Sequence, residues 1–224
     1  MACGKPIVRV LATDWGRVVV DFDNGRTASA LHPHCAHPMS ARALHDLLFH
    51  KDGSFAAYSR GELTTPAFRG AWRALLGGAP HCTDEEFDRA FSDVFTANPA
   101  VVSRWKALRA RGVRIVAASN VEEIRHRRLT AMGVHGLCNA HCLSYQVGAA
   151  KPEEAFFTHV VQIAGCAPEE IVFVDDVPAF GEAAGRIGIR YVPYDLRIDR
   201  PEELDARLSA FDFVPWKEGV RGED

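Results

Sequence analysis

Three short apolar runs constrain this chain more than any other feature. Residues 7–12 read IVRVLA and lead to Asp14, residues 113–118 read VRIVAA and lead to Ser119 and Asn120, and residues 171–174 read IVFV and lead to Asp175 and Asp176. Runs this short with little alternation predict strands covered on both faces, as in a parallel sheet. Helical patterns lie between them. VVSRWKALRARG precedes the second run with Gly112 as its stop, VEEIRHRRLTAMG follows it, and PEEAFFTHVVQIAG and PAFGEAAGRIG flank the third. Strand and helix in alternation predict an α/β fold, a Rossmann-like parallel sheet with helices on both faces.

One stretch breaks the alternation. Between about residues 38 and 98 only helical segments are expected: SARALHDLLFH, TTPAFRGAWRALLG and TDEEFDRAFSDVF, the last opened by a capping box of Thr83 and Glu86. Residues 25–97 are therefore expected as a small all-helical domain inserted after the first strand, with residues 1–24 and 98–224 as the α/β core. Phe68, Trp72 and Phe91 fall on helical faces and are expected to form the insert's own core. Tyr58, Arg60 and Gly61 are expected in a turn between its helices. The tail after Asp195 is polar and receives no element.

A chain of 224 residues with 47% hydrophobic residues can bury roughly 70% of its unfolded surface and needs no staple. Its net charge of −3 argues against nucleic acid, which demands clustered Lys and Arg. No apolar run reaches the roughly 18 residues needed to cross a bilayer, and the N-terminus lacks the apolar region of a signal peptide. A cytoplasmic monomer or homodimer without membrane or nucleic-acid partners is expected. The six cysteines, Cys3, Cys35, Cys82, Cys138, Cys142 and Cys166, then read as reduced thiols. Two clusters carry zinc-ligand types, HPHCAHP (His32, His34, Cys35, His37) and HGLCNAHC (His135, Cys138, His141, Cys142), but neither has the paired spacing of a finger.

Ligands of open parallel sheets bind beyond the carboxyl ends of the strands. Asp14-Trp15-Gly16, Ser119-Asn120, Lys151-Pro152 and Asp175-Asp176 all arrive there. Each alone reads as a cap, a turn or a solvated loop. In this order they resemble the haloacid dehalogenase-like hydrolase superfamily, on the segments LATDWGRVVVDFD, IVAASN, GAAKPEEAFF and IVFVDD. The resemblance covers nearly the whole chain, with the helical insert in the place of a cap. Within the superfamily, Asp14-Trp15-Gly16-Arg17-Val18 followed by Asp21 and Asp23 is most similar to the branch that includes α-glucose-1-phosphate phosphatases.

The resemblance implies a Mg²⁺-dependent phosphatase of a small phosphorylated metabolite, a sugar phosphate among the candidates, acting through an aspartyl-phosphate. Asp14 would be the nucleophile, with Ser119 and Lys151 as further catalytic residues. Asp14, the Gly16 carbonyl, Asp175 and Asp176 would hold Mg²⁺; Gly16, Arg17 and Asn120 would contact substrate. The pattern departs from most phosphatases of the superfamily at Gly16, where an acid would protonate the leaving oxygen. Asp21, Asp23, His50 and Tyr58 are candidate replacements, and a left-handed backbone is one expected reason for the glycine. Phe180 stands where the branch carries a polar residue, which is expected to loosen the surroundings of Lys151. Two other readings stay open: a catalytically weak phosphometabolite-binding protein, and a metal-free 2-haloacid dehalogenase.

Overall fold

The computed structural model describes residues 5–50, 53–78 and 82–216, so the expected thiol of Cys3 lies outside the described residues. The chain opens with β1 (Ile7–Val8), β2 (Val10–Thr13) and β3 (Val20–Phe22). Five helices follow: α1 (Asn24–Leu31), α2 (Ala41–Leu48), α3 (Ser54–Ser59), α4 (Thr65–Leu75) and α5 (Asp84–Ser92). Next come β4 (Phe95–Ala97), α6 (Pro99–Ala110), β5 (Arg114–Ser119), α7 (Glu123–Ala131), β6 (Ala140–Leu143) and α8 (Ser144–Val147). The chain continues with α9 (Glu154–Ala164), β7 (Ile171–Asp175), α10 (Pro178–Arg186), β8 (Arg190–Pro193), α11 (Pro201–Leu208) and β9 (Asp212–Phe213).

The central sheet has five parallel strands in the order β6-β5-β2-β7-β8. Val10–Thr13 lies level with Arg114–Ala117 on one side and Ile171–Val174 on the other. That register brings the ends of the three predicted strands to one edge. Successive residues then point to opposite faces. Leu11, Ile115, Ala117, Val172 and Val174 pack with Trp105 of α6, Leu129 of α7 and Leu204 of α11. Val10, Ala12, Val116, Ala118 and Phe173 pack with Phe156 and Val160 of α9 and Ala184 of α10. Both faces are covered, which is why these strands read as continuous apolar runs.

Helices α1 to α5 build a third cluster from Leu31, Leu44, Leu48, Tyr58, Phe68, Trp72, Phe87 and Phe91, joined by Ile124 of α7. Offset and edge-on ring packing dominates it, with Tyr58 and Phe68 stacked at 4.1 Å. The expected capping box is formed: the Thr83 side chain accepts from Glu86 N, and Glu86 returns a bond to the Thr83 backbone N–H.

Three expectations need correction. IVRVLA is not one strand, because Arg9 turns out to pair with Glu170 at 2.6 Å and splits the run between β1 and β2. Residues 38–98 are not wholly helical, since Phe95–Ala97 pairs antiparallel with Val20–Phe22. The stretch after Asp195 is ordered through Trp216. Pro201 opens α11, Leu204 and Leu208 bury its inner face, and β9 pairs with β1.

Candidate active site

Asp14 directly follows β2, Ser119 ends β5, and Asp175 ends β7, so the shared register alone puts three polar side chains side by side. Three donors converge on Oδ1 of Asp14. The Ser119 hydroxyl donates at 2.6 Å, the Trp15 amide at 2.7 Å, and the Lys151 ammonium stands 3.2 Å away. Oδ2 is turned toward Gly16; a Cβ there would stand 3.8 Å from it.

Lys151 arrives from the loop between α8 and α9, and its side chain is fully buried. It donates to Asp175 Oδ2 at 2.6 Å. Asn120 fixes the loop by bonding the Lys151 backbone twice, accepting from its N–H at 2.9 Å and donating to its carbonyl at 3.0 Å. Asn120 thus sets the position of Lys151. The rings of Phe173 and Phe180 lie 5.4 and 5.2 Å from the ammonium. Phe180, the departure expected to loosen the surroundings of Lys151 or the metal, places its ring over the cation. Burial works against the Lys151 charge, but Asp14 and Asp175 outweigh it and raise its pKa.

Oxygen atoms of Asp14, Asp175 and Asp176 come within 4.8 Å of one another, a donor set able to hold a metal ion. All three are hard carboxylate ligands, the type that divalent Mg²⁺ takes. Burial, with Asp14 beside it, lifts Asp175 to about 6, and burial together with Asp14 and Asp175 lifts Asp176 to about 7. The group carries more negative charge than Lys151 offsets, which is the electrostatic state that a divalent cation relieves.

Position 16 is not left-handed. The positive φ belongs to Arg17, at 57°. What fills the space beside Gly16 is Phe22, whose Cε1 would stand 3.0 Å from an added Cβ. Arg17 lays its guanidinium over that ring at 4.4 Å and pairs with Asp21 at 3.3 Å. Asp21 is also paired with Arg197 at 2.9 Å, and Asp23 caps α1 by accepting from Gly25 N. Tyr58 lies within α3 and not in a turn; its buried hydroxyl bonds Thr65 Oγ1 and accepts from Ile124 N. His50 follows α2 and Phe49.

The seam between helices α1 to α5 and the sheet runs over this edge. Arg60 forms an ion pair with Glu153, two residues beyond Lys151. Gly61, at φ +74°, lies so close to the Tyr145 carbonyl that a side chain there would collide with it. Beneath the seam is a cavity of about 50 Å³ lined by Trp15, Gly16, Phe22, Phe95, Ser119, Glu122 and Arg125 among others. None of Asp21, Asp23, His50 or Tyr58 lines it. Glu122 and Arg125 were missed in the sequence, where they fall in the helical pattern VEEIRHRRLTAMG without further distinction.

The histidines and cysteines of HGLCNAHC make other contacts. Among the described residues the one group able to hold a metal is the Asp14, Asp175, Asp176 set. His135 and His141 stack on each other at 3.7 Å, His126 bonds His135, and Cys138 and Cys142 are buried thiols. Burial pushes both thiols up to about 12. No helix of the described residues is long and apolar enough to cross a membrane.

Comparison with known proteins follows the same lines. A HAD family enzyme from Bacteroides thetaiotaomicron, solved in complex with magnesium and inorganic phosphate, superposes with a TM-score of 0.76. It is 22% identical, over 86% of this chain and 96% of that one. A predicted HAD-like family hydrolase from Porphyromonas gingivalis gives a TM-score of 0.77 at 20% identity, covering 91% of this chain and 98% of that one. The L-2-haloacid dehalogenase from Xanthobacter autotrophicus gives 0.59 at 19% identity, covering 84% and 77%. At these identities the likeness is one of fold. A family profile described as haloacid dehalogenase-like hydrolase matches residues 54–188, more than half of the chain. The chain belongs to the haloacid dehalogenase-like hydrolases.

Proposed function

We propose that this hydrolase is a Mg²⁺-dependent phosphatase of a small phosphorylated metabolite, with helices α1 to α5 as its cap and Asp14 as its nucleophile. The observation that carries the reading is the setting of Asp14, whose Oδ1 takes three donors while two further carboxylates complete an oxygen-only metal site. Asp14, the Gly16 carbonyl and Asp176 would hold Mg²⁺, with Asp175 beside them. Bound there, the ion would neutralise charge on the phosphoryl oxygens.

With Oδ1 held, Oδ2 is the oxygen that attacks phosphorus. The new Oδ2–phosphorus bond forms as the ester oxygen leaves with its electron pair and takes a proton from solvent. Water then attacks the aspartyl-phosphate at phosphorus, releases inorganic phosphate and restores Asp14. With substrate bound, the Ser119 hydroxyl would turn from Oδ1 to a phosphoryl oxygen, beside the amides near Asn120, while the Trp15 amide and Lys151 keep Oδ1. Lys151 supplies a fixed cation that does not need to reorganise. Arg17, locked over Phe22, supports the loop that carries Gly16 and does not have to reach substrate itself.

The same fold serves dehalogenases, but a 2-haloacid is itself an anion. Asp175 and Asp176 beside Asp14 would repel it unless a cation intervened, which favours phosphate chemistry with metal. The test is phosphate release from a panel of small phosphate esters and acyl phosphates, with Mg²⁺ and with EDTA. Release that EDTA abolishes is expected. Halide release from 2-haloacids in EDTA, with no phosphate release under any condition, would replace the reading.

A further inference from the structure

The reading above leaves the alcohol half of the substrate unspecified, and the cavity beside Gly16 constrains it. Asp14 Oδ2 is turned toward Gly16, and Gly16 lines the cavity together with Ser119 and Asn120, so this space adjoins the site and offers room to a group leaving phosphorus. Two larger grooves, of about 330 and 420 Å³, are lined by none of the site residues.

The cavity walls are mostly apolar, from Trp15, Phe22, Phe95, Val121 and Leu129, with one acid, Glu122, and one base, Arg125, in the lining. Glu122 is only 3% exposed, and its Oε2 has no hydrogen-bond partner. Arg125 Nε stands 3.7 Å from that oxygen, beyond hydrogen-bond reach, and donates to the Phe91 carbonyl instead. A second Arg125 nitrogen is taken by Asn24 Oδ1 at 2.7 Å, and the Phe91 ring lies 4.3 Å from the guanidinium. Arg125 is thus ion-paired with Glu122, while Nε and the nitrogen bonded to Asn24 give their hydrogen bonds to other acceptors. A buried carboxylate oxygen without a hydrogen-bond donor is costly to leave unsatisfied, so its lone pairs are available to whatever enters.

We propose that Glu122 Oε2 is the acceptor for a hydroxyl on the substrate's leaving group, and that this group is a short, uncharged, hydroxylated alcohol. The proposal rests on the phosphatase reading and deepens it. Size sets the length: at roughly 10–15 Å³ for each water, about 50 Å³ holds about four non-hydrogen atoms with the helices closed over the site. Chemistry sets the group. Arg125 already offsets the Glu122 charge, so a carboxylated leaving group would add a second negative charge against one buried cation, and a plain alkyl chain would leave Oε2 without a hydrogen bond. Ser59 of α3 also hydrogen-bonds the Glu122 carboxylate, so the acceptor is oriented from the cap side as well. Sites built to bond a hydroxyl reject analogues that lack it far more sharply than apolar pockets reject a methylene.

The test is calorimetric titration of the Mg²⁺-loaded full chain with 3-hydroxypropylphosphonate and butylphosphonate, which fill the pocket alike and cannot be hydrolysed. Inorganic phosphate is the reference ligand, and the two matching esters, 2-hydroxyethyl phosphate and propyl phosphate, are assayed for turnover. Wild type is expected to bind the hydroxylated phosphonate at least about tenfold more tightly, and Glu122→Gln to bring that ratio toward one, with circular dichroism verifying its fold. Equal binding of the two phosphonates by wild type overturns the proposal without any variant. A Glu122→Gln defect that follows leaving-group basicity and ignores the hydroxyl also overturns it, in favour of proton donation by Glu122. Selective phosphonate binding without phosphate release from either ester or from acetyl phosphate would leave the pocket standing and overturn the phosphatase reading instead.

Discussion

A Cβ added to Gly16 would lie 3.0 Å from Cε1 of Phe22, and that ring is itself held between Phe95 and the Arg17 guanidinium. The glycine beside Asp14 is therefore a matter of space, since its φ is not positive. Gly16→Asp is expected to cost about 1–3 kcal/mol by overpacking. Phe22→Leu in the same chain should recover part of it, giving a coupling of about 0.5–3 kcal/mol in a double-mutant cycle. Urea unfolding of the four proteins measures this. Strict additivity would mean that Phe22 does not restrict position 16.

Asp14→Asn should end phosphate release while the protein stays folded. The amide keeps the volume and can still accept from Ser119 and Trp15, whose bonds to Oδ1 measure 2.6 and 2.7 Å, but it cannot attack phosphorus. Turnover by this variant above the rate in buffer would remove Asp14 from the mechanism.

Lys151 is a buried cation between two carboxylates, 3.2 Å from Asp14 and 2.6 Å from Asp175. Removing one partner of a buried charge group strands the others, at a cost of about 3–5 kcal/mol. Lys151→Met should therefore lower thermal stability in metal-free buffer and abolish turnover. Added Mg²⁺ should restore part of the melting temperature and none of the activity. A variant as stable as the parent without metal would show that Asp14 and Asp175 are not charged together.

How much of this was legible follows from which physical signals reach the sequence. Asp14, Ser119, Asp175 and Asp176 were readable because each closes or follows a strand buried on both faces, and such strands are apolar throughout, whereas Lys151 lies in the α8–α9 loop and was legible only by its place in the order of the motifs. Strand β8 was not: Arg190 and Tyr191 are half-buried at the sheet edge, so its pattern is broken by polar groups. Helix α11 carries its signal in Leu204 and Leu208 alone, one turn apart in a charged segment. Glu122 and Arg125 were illegible for a different reason. Nothing local distinguishes them from the exposed charges of EEIRHRR; they are buried only because Phe49, Phe55, Phe91 and Phe95 arrive from elsewhere in the chain.

The acidic cluster predicts a pH dependence with a definite sign. Burial and neighbouring carboxylates lift Asp176 to about 7 and Asp175 to about 6, from an ordinary value of 3.8. Between about pH 4 and 7 the folded protein binds protons that the unfolded chain has released, so metal-free stability falls as pH rises through that window. Protons and metal compete for the same oxygens, so the rise in melting temperature on adding Mg²⁺ should grow over the same window. Asp176→Asn should flatten both trends. A Mg²⁺-induced shift as large at pH 5 as at pH 8 would place the metal elsewhere.

The remaining question is how the leaving oxygen gets its proton. Asp21 is held by Arg17 and Arg197, Asp23 caps a helix, and the Tyr58 hydroxyl is buried against Thr65 and Ile124, its pKa lifted by burial to about 12. Glu122 is the one acid lining the cavity, and the proposal above makes it an acceptor. Without a carboxylic acid beside Asp14, the enzyme forgoes a contribution of about 10²–10⁴-fold for poor leaving groups. Turnover should then depend steeply on leaving-group basicity, with acetyl phosphate hydrolysed far faster than ethyl phosphate of similar size. A carboxylate departs as a stable anion, whereas an ethoxide must be protonated as the bond breaks. In Gly16→Asp/Phe22→Leu, where an acid has been given room beside Oδ2, the slope should flatten because ethyl phosphate gains more than acetyl phosphate. The measurement is kcat/KM for a leaving-group series on both proteins at one pH. A flat series in the parent would mean that a donor already reaches the ester oxygen, and Glu122 in its protonated form would be the group to test next.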